Sequence, residues 1–177
     1  MSTSSALRIG LVTVAAMLFG TAAAQEGPGL GETPSAELIA AWDISIASDG
    51  SGLPPGSGSA VEGAPVYALK CAACHGPGGE GLLNDRLVGG HGSIGRPAAV
   101  KTIGSYWPYA TTIFDYVRRA MPYSQPQSLS DDETYALTAY LLYLNEIIDE
   151  DVVMDGATLP AVEMPNRDNF VLGYRAP

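Results

Sequence analysis

The chain has 177 residues, with 19 acidic side chains against 9 basic ones and a formal net charge of −10. Such an excess of negative charge repels nucleic acid and anionic membrane surfaces; a basic protein surface suits it better as a partner. Only 2 cysteines are present, and both fall within four consecutive positions, so whatever chemistry they perform they perform together.

At the start, "MSTSSALRIGLVTVAAMLFGTAAAQEG" has a single positive charge at Arg8, an apolar run from Ile9 to Phe19, and small residues at Ala22 and Ala24. This pattern reads as a secretory signal peptide cleaved near Ala24, because the apolar run is shorter than the ~20 residues a membrane-spanning helix needs. No stable membrane insertion is therefore expected, and loss of Arg8 leaves a charge of −11. Without a twin-arginine pair the chain is expected to be exported unfolded to the periplasm, so that any cofactor is added there. Residues 25–58 form a Gly/Pro-rich arm, with "GPGLGETP" at one end and "DGSGLPPGSGS" at the other. Between them "AELIAAWDISI" is apolar enough to dock, which predicts an anchor around Trp42 and Ile44.

The compact part is expected over residues 59–151, with a C-terminal tail over 152–177 that, like the arm, straps the domain or a partner. The first helix should carry "PVYALKCAACH". Ser59 and Glu62 resemble a capping box that would start it early, but Pro65 is tolerated only in a first turn, so the start is placed near Gly63. The loop from Gly76 to Pro108 is long for a small domain and is expected to serve a function. In "TTIFDYVRRA", Thr111 or Thr112 should cap a second helix, with Ile113, Phe114 and Val117 turned inward and Asp115 able to pair with Arg118 or Arg119. That helix should stop at Met121, because Pro122 disfavours helical geometry in the residue before it. The last helix, "SLSDDETYALTAYLLYLNEII", has Ser130 and Glu133 as a capping box, with Leu137, Tyr140, Leu141, Leu144 and Ile148 on one face. No alternating strand pattern is evident. The fold class is all-α, a small helical bundle wrapped around something.

That something is specified by "CAACH". Cys-x-x-Cys-His is the attachment sequence of c-type haem: Cys71 and Cys74 add to the porphyrin vinyl groups, and His75 follows as the proximal iron ligand. A thioredoxin-like pair would need an α/β setting that is missing here. A zinc site built from Cys71, Cys74, His75 and His91 makes tetrahedral closure awkward, and a Cys71–Cys74 disulfide closes too short a loop to gain much. Beyond the signal the methionines are Met121, Met154 and Met164. Met121 leaves a helix just before a proline and is the preferred sixth ligand; the other two lie in the tail, and a loop histidine such as His91 is more often solvated. An imidazole and a thioether together fill both axial positions and favour ferrous iron, so the chain should carry electrons rather than catalyse. Trp107 and Tyr106 are candidate walls of the haem site, and Lys101 or Arg96 can pair with a propionate. His75 should donate its second ring N–H to a backbone carbonyl in the following loop.

The order "KCAACHGPGGEG", then "AMP", then an aromatic-bearing last helix resembles class I c-type cytochromes, a family of small helical bundles around one covalently attached haem c. Carried over by position, this implies Cys71 and Cys74 as thioether sites and His75 and Met121 as axial ligands. The segment "KTIGSYWPYATT", with "AAWDISIASDGSGLPPGSGS" upstream and "MPNRDNF" downstream, resembles the cytochrome subunits of sulfite dehydrogenases and of the Sox sulfane dehydrogenase. The resemblance implies a molybdenum-containing sulfite or sulfane dehydrogenase subunit as electron donor and a downstream cytochrome c or oxidase as acceptor. Sulfane dehydrogenase cytochromes commonly carry two haems, whereas this chain has one attachment motif. That departure favours a sulfite-oxidising donor. A general carrier without a dedicated enzyme, or a haem with an open sixth position that binds a small molecule, are the alternatives.

Overall fold

The computed structural model describes residues 29–171 and 173. The expected signal peptide lies outside them. Among the described residues no helix is long and apolar enough to cross a membrane.

Contacts divide the chain into two units, one ending at Ile39 and one starting at Ala40. Ser35 opens helix α1 (Ala36–Trp42), which runs across that boundary: its Oγ accepts from the Leu38 N–H at 3.2 Å and its carbonyl from the Ile39 N–H at 3.0 Å. No residue of α1 is buried.

The second unit begins with an extended strap. Of the two residues predicted as the anchor, Trp42 is 80 % exposed and Ile44 is half-buried. The anchoring role passes to Ile46 and Leu53, which pack against the core. Polar contacts complete the attachment. Asp115 accepts from the Ile46 N–H at 3.0 Å, Thr111 donates to the Ser48 carbonyl at 3.2 Å, and Tyr135 donates to the Pro54 carbonyl at 2.9 Å. Strand β1 (Ser57–Ser59) follows directly.

Helix α2 (Ala60–Lys70) starts earlier than Pro65 suggested. The Ser59–Glu62 capping box forms in full, with the Glu62 carboxylate accepting from the Ser59 N–H at 2.8 Å. Pro65 is the sixth residue of the helix and forfeits the bond its N–H would have made to Val61. The cap, worth about 1 kcal/mol, offsets part of that cost. Burial of Ala60, Gly63 and Tyr67 offsets more. Helix α3 (Ala72–His75) continues after a break at Cys71.

Helix α4 (Ala110–Ala120) has Tyr109 at its N-cap and no side-chain cap bond, so neither threonine plays the predicted part. Thr111 is buried and spends its hydroxyl on the strap instead. Ile113, Phe114 and Val117 are buried as their spacing required, Asp115 pairs with Arg119, and Met121 turns to an extended conformation before Pro122.

Helix α5 (Asp131–Leu144) carries its capping box at Ser130 and Glu133 and is buried along every position from Thr134 to Ala139, then again at Leu141 and Leu142. The hydroxyls of Thr134 and Thr138 turn back to the Ser130 and Thr134 carbonyls at 2.8 Å each, so the polar side chains inside the core are satisfied. The helix ends four residues before Ile148. Glu146 adopts φ 58°, and the N–H groups of Glu146 and Ile147 bond to the Tyr143 and Leu142 carbonyls at 2.8 and 3.0 Å. This is a Schellman stop with glutamate where glycine is usual. Ile147 and Ile148 still reach the core from beyond it.

Strand β2 (Val153–Asp155) then pairs antiparallel with β1, Gly58 opposite Met154. Two strands of three residues each are too short to carry an alternating pattern, which is why the sequence does not reveal them. The tail beyond β2 seals the core through Leu159 and Met164.

Candidate haem site

Cys71 closes α2 and opens α3, and its carbonyl accepts from the N–H groups of both Cys74 and His75 at 3.1 Å. One turn thus presents the two thiols and the imidazole together. Gly76 ends the turn at φ 85°, where a Cβ would press into the Glu80 carboxylate. Tyr67, one helical turn before Cys71, donates its hydroxyl to the Gly76 carbonyl at 2.8 Å. Burial pushes the Tyr67 phenol up to about 12, which keeps it a neutral donor. Burial likewise pushes the Cys71 thiol up to about 11, outweighing the nearby Lys70 ammonium. Cys71 and Cys74 are not joined to each other in a disulfide.

The loop after Gly76 folds back on this turn. The Cys74 carbonyl accepts from Leu83 and Asn84 at 3.0 and 2.9 Å, and the Gly79 carbonyl from Leu87 at 2.7 Å. His75 Nδ1 lies 2.8 Å from the Asp85 carbonyl oxygen. With Nδ1 as the donor, Nε2 carries the lone pair a metal needs.

These residues line one wall of a cavity of about 900 Å³, near the top of the roughly 300–1,000 Å³ range of cofactor clefts. Cys71, Cys74, His75, Trp107 and Met121 all line it, together with apolar side chains such as Ile113, Leu137 and Leu141. Lys70, Arg86 and Lys101 supply positive charge at its border. Tyr106 is not among the lining residues. Its ring meets Phe170 edge-on at 5.4 Å and lies under the Lys101 ammonium at 4.9 Å. Arg96 and His91 are also absent from the lining, and Met154 and Met164 are buried in the core instead. Tyr67 and the Asp85 carbonyl were not singled out from the sequence. Tyr67 was discoverable, as an aromatic one turn ahead of Cys71 on the face α2 buries. The carbonyl was not, because a side-chain pattern carries no information about which peptide oxygen a loop turns inward.

The donor set fits a covalently attached haem: two adjacent thiols, an oriented imidazole and a thioether on one mostly apolar cavity. The cytochrome c family model matches residues 60–145, from the first residue of α2 to the C-cap of α5. A chain in the crystal structure of the sulfane dehydrogenase SoxCD from Paracoccus pantotrophus is 47 % identical and superposes with a TM-score of 0.76, over 81 % of this chain and 71 % of that one. The protein belongs to the cytochrome c family, whose cofactor is covalently bound haem c. A thiosulfate dehydrogenase from Psychrobacter arcticus is 30 % identical over 82 residues, which are 46 % of this chain. The chain spans only about a quarter of that curated relative's length.

Proposed function

We propose that this protein is a periplasmic monohaem cytochrome that accepts electrons from a molybdenum-containing sulfite, or related sulfur-compound, oxidoreductase and passes them to a downstream cytochrome or oxidase. The observation that carries the reading is the single cavity lined by Cys71, Cys74, His75 and Met121 together. Bound haem c supplies a one-electron iron couple. The chain's own residues would hold it: Cys71 and Cys74 would tether the ring, and the His75 imidazole and Met121 thioether would ligate the iron. The Met121 thioether favours the ferrous state, while the apolar walls limit water and so limit reorganisation on electron transfer. Lys101, at the border, can neutralise a propionate; Trp107 can pack on the ring.

The sulfur-oxidising donor is supported by the similarity to a chain of a sulfane dehydrogenase. The single attachment motif favours sulfite as that donor's substrate. Stopped-flow mixing of the oxidised, haem-loaded protein with the molybdenum sulfite oxidoreductase of its own organism, with and without sulfite, tests this. Fast reduction only with sulfite is expected. No reduction by a competent enzyme would leave a general carrier, and reduction driven by thiosulfate alone would move the donor to that substrate.

A further inference from the structure

The buried amide of Asn145 is not used by anything described so far. Its side chain is 1 % exposed at the C-cap of α5 and is not among the residues that line the cavity. Its Nδ2 donates to the Leu87 carbonyl at 3.1 Å and to the Leu141 carbonyl at 2.9 Å, and its Oδ1 accepts from the Gly89 N–H at 3.3 Å. One side chain therefore clamps residues 87 and 89 to the end of α5. Asp85, two residues earlier, presents its carbonyl to His75 Nδ1. Gly104 makes room for the clamp, because a Cβ there would collide with Asn145 Oδ1.

We propose that Asn145 is a positioning residue for the proximal ligand: by holding the loop that carries the Asp85 carbonyl, it sets the strength of the His75 Nδ1–H hydrogen bond and through it the reduction potential. This rests on His75 being the axial ligand. A hydrogen bond at Nδ1 makes the imidazole a more basic ligand, which stabilises ferric iron and lowers the potential. Losing the clamp lets the carbonyl drift and weakens that bond, so the potential rises. The direction is diagnostic. A loosened loop that merely admitted water would favour the more highly charged ferric site and move the potential the other way.

The test is spectroelectrochemical titration of the haem-loaded full chain as wild type, Asn145→Leu and Gly104→Ala, with thermal melts of each. Leu159→Ala, which weakens the fold from a buried place outside the cavity lining, serves as the stability-matched control. A more positive midpoint is expected in Asn145→Leu, a smaller shift of the same sign in Gly104→Ala, and none in Leu159→Ala. If Asn145→Leu does not accumulate with haem, Gly104→Ala against Leu159→Ala decides alone. A lower melting temperature with an unchanged or more negative midpoint overturns the proposal and makes the amide purely structural. A wild-type spectrum lacking histidine ligation would overturn the reading of the site itself, and this inference with it.

Discussion

Gly63 and Ala136 bring α2 and α5 into backbone contact: a Cβ on Gly63 would collide with the Ala136 carbonyl oxygen and crowd the Tyr140 Cβ behind it. Neither partner atom is the tip of a flexible side chain, so the helices themselves would have to move. Gly63→Ala is expected to cost about 1–3 kcal/mol, as overpacking does, and to lower the melting temperature by several degrees. Because α2 leads straight into Cys71, the variant should also load less haem. A thermal melt together with the haem-to-protein absorbance ratio measures both, and an unchanged pair would mean that the crossing is looser than described.

Met121 is the only described methionine on the cavity lining; Met154 and Met164 are each at most 3 % exposed within the core. Met121→Ala should therefore abolish the weak far-red absorption band of iron–thioether ligation in the oxidised protein, lower the potential, and let azide or imidazole bind. Survival of the band in the variant would assign the sixth position to a different residue.

Lys70 and Glu133 join α2 to the first turn of α5 at 2.9 Å. The Lys70 hydrogen bond, then the Ser130 N–H, hold the Glu133 carboxyl below its ordinary value of 4.5. A lowered pKa means that the bound state prefers the ion. Its contribution is therefore complete above about pH 4.5 and disappears as pH falls through the folded-state value. Partial solvent screening limits it to about 0.5–1 kcal/mol. Acid titration of stability should be less steep in Glu133→Gln than in wild type over that window, and at neutral pH the variant should be weaker by a similar amount. Parallel acid curves would show that the pair is already screened out.

The arm divides structurally at about residue 44. Residues 46–59 are tied to the core through Asp115, Thr111, Tyr135 and β2, so removing them should unfold the domain. Residues 25–43 include the exposed Leu38, Ile39 and Trp42. Deleting 25–43 should keep the haem spectrum and the melting temperature, and it should weaken binding to the donor enzyme. Surface plasmon resonance with the deletion and with Trp42→Ser distinguishes this from an idle extension, which would leave the affinity unchanged.

Much of this architecture is legible in the residues because single positions dictate it. Ser130 with Glu133 opens α5, Pro122 ends α4, and the spacing of Cys71, Cys74 and His75 confines them to one turn. Where the structure departs from the residue pattern, competition between distant groups decides. The α2 start turns on whether Pro65 outweighs a cap and a close helix crossing, and the partner helix of that crossing lies some seventy positions away. Trp42 looked like an anchor by size, but Ile46 wins because Asp115 is there to receive its N–H. Tyr106 and Trp107 are adjacent in an irregular segment, where no period tells which ring turns inward.

The pairing of β1 with β2 has a consequence in time. A chain is delivered N-terminus first. Strand β1, which leads into α2, must then wait for a mate that emerges only after α5, and the seal made by Leu159 and Met164 comes later still. The core is thus completed by β2 and the residues after it, which follow every helix that positions the haem turn.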